Sequence, residues 1–256
     1  MPAAVLAPES TWEQNRLNLR RAVTLFYDIQ KLRVAQGNRA NPEVDTSYLT
    51  DREKGWFQSG SDFLLEAEKS ALRAIRSLNK RFAVHEWTLS IKGVGPAITG
   101  NLLSTFDPFR ADTASKFWAY CGLHTVDGKA PKLTRGTKAN WNTHLRAKMV
   151  GVLGTCLLRA QNEHYCPIYY QTKERYNNQD PVWGTSDGHR NRSAIRIMVK
   201  ALLLDFWVAW RTILGLPIRS RYAVEYLKGS EHPVFNQDMI DRITEEEKVR
   251  RALGDS

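Results

Sequence analysis

The chain has 256 residues, 42% of them hydrophobic, with 37 lysines and arginines against 27 acidic residues and a net charge of +10. That content suffices for one large or two small cores, and the positive excess favours a polyanionic partner wherever it is clustered. Cys121, Cys156 and Cys166 leave no complete set of disulfides, and no run has the order of a secretion signal, which points to a reducing cytoplasm.

Thr11 and Gln14 form a candidate capping box, and Trp12, Leu19, Val23 and Phe26 recur at helical spacing to about Ala35. Gly37 to Gly55 mixes turn formers with charges and reads as a connecting loop. A second helix is predicted from Ser61 or Asp62 to about Glu86, with Leu64, Ala67, Ala71, Ala74, Ile75 and Leu78 on one face. Residues 1–88 therefore read as a helical arm of two long antiparallel helices. Leu64, Ala71 and Leu78 lie at heptad spacing, which predicts a homo-oligomer assembled through the arm.

The stretch LSIKGVGPAITGNLL, Leu89 to Leu103, sets Gly93 and Gly95 around Val94, and Pro96 suits a first helical position. Leu89, Val94, Ala97, Leu102 and Leu103 are predicted to pack inward. The backbone N–H groups from Gly93 to Ala97 then sit at a helix N-terminus, where donors and dipole favour an anion, and Lys92 adds charge. The spacing resembles the helix-hairpin-helix motif, which implies a grip on the DNA backbone without reading sequence. A tight helix corner with no ligand accounts for the same residues.

Further along, Asp112 or Thr113 caps a helix ending at Gly122. A polar loop follows, and a helix from about Ala139 to Gln161 buries Leu145, Met149, Val152 and Cys156. Another helix starts after Pro167. The most apolar stretch, Ala194 to Leu216, carries Arg196, Lys200, Asp205 and Arg211, each costly in lipid, so it reads as a buried helix and no membrane partner is expected. Residues 89–228 form the second predicted domain, and 229–256 a charged tail, helical or partly disordered. There is no internal repeat and no alternating strand, so the expected class is all-α.

Between Gly128 and Asn162 there is no acidic residue, while Lys129, Lys132, Arg135, Lys138, Arg146, Lys148 and Arg159 all occur. The bias returns from Gly188 to Leu204 with Arg190, Arg192, Arg196 and Lys200. Arg192, Arg196, Lys200, Trp207 and Arg211 fall within one arc of the last long helix, predicting a basic edge. Together with the glycine turn, these segments read as one phosphate-tracking face, although solvated basic loops have the same composition. Trp141 and Trp183 offer rings for stacking on bases, or for packing within the loops.

Four landmarks follow the glycine turn in order: FDPFRADTASKFWAYCGL, GTKANWNTHLRAKMV, CPIYYQTKERYNN and HRNRSAIRIMVKALLLDFWVAW. Together they resemble the carboxy-terminal domain of the insertion-sequence 110/116/902 transposase family, over roughly Leu89 to Leu214. The resemblance implies a DNA recombination protein of a mobile element, with DNA as partner and a guide RNA as a second. The family's acidic nuclease domain needs more length than precedes Leu89. Its nucleophilic serine precedes a glycine where this chain has Asp127 before Gly128. The expectation is therefore binding rather than strand cleavage.

Asp127 and Ser186 remain the catalytic candidates if the protein is an enzyme, and Ser186 in WGTSDGHR also suits a turn or helix cap. Cys121, His124, His164 and Cys166 have spacings that suit a zinc site, against a reading as packed core residues. No cofactor is expected, magnesium entering only with strand chemistry.

Overall fold

The computed structural model describes residues 9–39, 49–126, 129–179, 181–218 and 234–253. Among these the protein is all-α, with a single isolated bridge between Val126 and Lys129. The helices are α1 (Glu9–Arg39), α2 (Asp51–Asn79), α3 (His85–Ser90), α4 (Pro96–Thr105), α5 (Ala114–Tyr120), α6 (Thr143–Ala147), α7 (Gly154–Arg159), α8 (Cys166–Asn177), α9 (Asp187–Ile213) and α10 (Gln237–Ala252). A π-helical segment, Lys148–Leu153, joins α6 to α7. The chain divides into two compact units, one built from α1, α2 and α4, the other from residues 83–94 and the chain from 106 onward.

In the first unit, α1 and α2 run in opposite directions. Asn15 accepts from Arg81, the Gln30 amide donates to Glu68, and the Gln36 amide donates to the Phe57 carbonyl. Leu19, Val23, Phe26, Ala71 and Ile75 supply the buried face, closed by Leu102 and Leu103 of α4. A Cβ at Gly100 would lie 2.9 Å from methyl groups of both Val23 and Ile75, so glycine sets how closely α4 approaches. Asn79 donates to the Pro96 carbonyl and Arg20 to the Ser104 carbonyl, satisfying polar groups at this junction.

Two sequence-based boundaries need correction here. Helix α2 starts at Asp51, well ahead of the expected Ser61 or Asp62, because Thr50 accepts from the Glu53 N–H while Glu53 accepts from the Thr50 N–H, a complete capping box. It ends at Asn79, and the chain turns before restarting as α3. Helix α1 already begins at Glu9, so Thr11 lies inside the first turn and the Gln14 amide donates to Asn18 instead of capping.

In the second unit α9 is the central element. Ala194, Met198, Val199, Leu202, Leu203, Phe206, Trp210 and Ile213 are all buried, with α5, the π-helical segment, α7, α8 and α10 packed around them. No helix among the described residues is long and apolar enough to cross a membrane. Helix α10 docks through buried Ile240 and Ile243, and Arg251 reaches the Leu214 carbonyl at 3.3 Å, so the charged end is an ordered helix to Ala252. Buried Asp205 accepts from the Tyr165 hydroxyl at 3.0 Å and from the Phe235 N–H at 3.3 Å. The Phe235 carbonyl in turn accepts from the Trp87 indole at 2.8 Å.

Candidate nucleic-acid interface

Gly93 has φ +100°, and a Cβ there would meet the Cys156 carbonyl at 2.8 Å. The glycine is needed for backbone approaching backbone at α7. Asn162 fixes the same strand of chain by donating to the Lys92 carbonyl at 2.9 Å. Val94 is buried and its N–H donates to the Ile91 carbonyl, so this donor does not face outward as the sequence suggested. Leu89, expected inside, is 40% exposed. Gly95 stands in open space and lies outside the set of positive-φ glycines, and the Gly95 carbonyl already accepts from Thr99. Lys92 is exposed, and Ala97 is half-buried in the first turn of α4.

The basic segments separate into two environments. Lys129, Lys132, Arg135 and Lys138 are exposed along an irregular loop, and among the described residues none pairs with a carboxylate. The loop is tied down at its start by the bridge between Val126 and Lys129 and by Arg146 donating to the Pro131 carbonyl at 2.8 Å, and at its far end by the Asn142 N–H donating to the Tyr120 carbonyl at 2.8 Å. Arg192 is exposed on α9, whereas Arg190 lies 3.7 Å from Asp187. The predicted basic edge of α9 does not continue past Lys200. Trp207 is buried with its indole donating to the Ala111 carbonyl, and Arg211 is buried on the carbonyls of Pro108, Ala111 and Pro217. Arg211 is a structural clamp, because a guanidinium presents enough donors to gather several carbonyls.

Arg146, Arg196 and Lys200 form a second, half-buried group beside Cys121 and His124. Arg196 donates weakly to the Leu123 and His124 carbonyls, both at 3.4 Å, and the Lys200 ammonium lies 4.3 Å from the Trp118 ring centroid. Burial first, then the neighbouring cations, pushes Lys200, Arg196 and His124 below their ordinary ranges. Burial pushes the Cys121 thiol up to about 12, so it stays neutral and offers no negative charge. Sequence reading singled out these cations as members of a basic run. It missed their convergence on Cys121 and His124, which tertiary packing alone creates.

The two tryptophans sit inside the fold's loops. Trp141 is half-buried, edge-on to His124 with the Arg146 guanidinium 5.9 Å from its ring, and Trp183 stacks on Tyr176 at 4.2 Å. Ser186 is the N-cap of α9, its oxygen accepting from the His189 N–H. Asp127 lies outside the described residues. Cys121 donates to the Phe117 carbonyl and Cys166 to the Leu157 carbonyl, while His164 packs against Tyr165 and Phe235. The zinc set is thus not gathered: among the described residues no three histidine, cysteine or acidic groups stand where they could hold one ion. Comparison of the chain with family models, curated proteins and solved structures returned no match.

Proposed function

We propose that the protein binds nucleic acid, DNA in the first instance, through phosphate contacts and without base reading. The observation that carries this reading is the exposed run Lys129, Lys132, Arg135 and Lys138, unpaired with any carboxylate among the described residues, with Arg192 of α9 also exposed. A solvated loop evolves no need to exclude acids over the whole of Gly128 to Asn162, whereas a surface that follows a phosphate chain does. Lys92, exposed in the same unit as the basic loop, adds a weaker contact. Gly93 and Val94 are given over to packing. With Ser186 engaged as a cap, the reading is binding rather than strand cleavage. Kinship with mobile-element recombination proteins, and a cytoplasmic setting, are part of the same proposal, resting on the ordered landmarks and on three free cysteines.

The test is to purify the protein, sequence whatever nucleic acid accompanies it, and measure fluorescence anisotropy with duplex DNA, single-stranded DNA and structured RNA at low salt. Salt-sensitive binding of any of these supports a nucleic-acid partner and the tightest identifies it. Absence of binding to all three removes the proposal.

A further inference from the structure

We infer that Arg146, Arg196 and Lys200, together with the His124 ring, form a seat for one phosphate group, distinct from the exposed basic loop. The four side chains come from three places in the second unit: His124 from the turn after α5, Arg146 from α6, and Arg196 and Lys200 one helical turn apart on α9. Their anchoring leaves donors unused. Arg196 spends one nitrogen on two long contacts to carbonyls, while its Nε is buried without a partner. The His124 Nδ1 is likewise buried and unpartnered. Lys200 rests on the Trp118 ring, and Arg146 uses one nitrogen on Pro131.

A half-buried group of three cations is costly unless an opposite charge accompanies it. Among the described residues no carboxylate pairs with any of the three, and the charges acting on them include the repulsion of Arg196 by Arg146 and of Lys200 by Arg196. Two guanidiniums and an ammonium present forks and a point charge that suit a tetrahedral oxyanion. The phosphate comes from a strand end or from within a strand, and both present the same oxygens. Assigning it to nucleic acid rests on the function proposed above. The anion seat does not, because inorganic phosphate tests it directly.

The experiment compares wild type, Lys200→Gln and the charge-matched surface variant Lys31→Gln, whose lysine is exposed on α1. Inorganic phosphate is titrated by thermal melting, and oligonucleotides with a 5′-phosphate or 5′-hydroxyl are titrated by anisotropy. Wild type and Lys31→Gln should show the same saturable rise in melting temperature with phosphate. Lys200→Gln should need about tenfold more phosphate, yet melt no lower than wild type without it, since it relieves a crowded charge. A melting temperature lowered in the absence of anion, with the phosphate response intact, would make Lys200 merely structural and overturn the inference. So would equal weakening by both substitutions, which would leave only diffuse electrostatics. A preference for the 5′-phosphate supports a strand-end ligand, and equal affinity with phosphate competition supports an internal one. Loss of oligonucleotide binding with phosphate binding retained would remove the proposed function and leave the seat.

Discussion

A methyl group at Gly93 faces two obstacles that one at Gly95 does not: a φ of +100° and a carbonyl 2.8 Å away. Gly93→Ala should therefore destabilise by about 1–3 kcal/mol, whereas Gly95→Ala should be neutral or gain about 0.4–1 kcal/mol from the stiffer unfolded chain. Urea denaturation checks both, and equal effects would contradict this division of roles. At His124 the sign of the pH dependence follows from its lowered pKa. The neutral ring's contribution to stability is present above the unfolded value of about 6.5 and is lost as pH falls below it toward the folded value. Of the charged groups facing the ring, Arg196, Arg146 and Lys200 are all cationic. NMR should show the ring titrating below the ordinary histidine range in the free protein. Adding sulfate, whose charge is constant there, should move the midpoint upward, and an unmoved midpoint would argue against an anion at this seat.

At the scale of elements, what was readable depended on whether the signal is local. Thr50 and Glu53 spell a capping box, but the residues after them lack an apolar period because Trp56 and Phe63 stay exposed, so the start of α2 looked like loop. Thr50→Ala should cost about 1 kcal/mol, seen in denaturation. The π-helical segment and the burial of Arg211 have no local signature, since both are set by what packs against them. Asp205 on α9 belongs with them: it is buried under α8 and the segment before α10, where Tyr165 and Phe235 donate to it. Tyr165→Phe would leave a buried carboxylate short of a donor, an expected cost of about 1–3 kcal/mol. Unchanged stability would mean that the Phe235 N–H and the His164 ring, 3.5 Å from the carboxylate, suffice.

For the whole molecule, the all-α class was legible because helical periodicity and caps recur along the chain while alternation does not. The exposed basic loop was legible too, from charge segregation in the sequence. What composition could not separate was the lysine that meets water from the arginine that holds carbonyls together, and this distinction decides the electrostatic footprint. If Lys129, Lys132, Arg135, Lys138 and Arg192 each neutralise one phosphate, log affinity for duplex DNA should fall with log salt at a slope of about −4.5. Replacing Lys132 and Lys138 together by glutamine should reduce the slope by about 2, uniformly across sequences. Replacing Arg211 should instead lower the melting temperature through loss of its carbonyl clamp, without a specific change in slope once folding is accounted for. A slope that stays near −4.5 in the double variant would show that the phosphate path runs elsewhere on the surface.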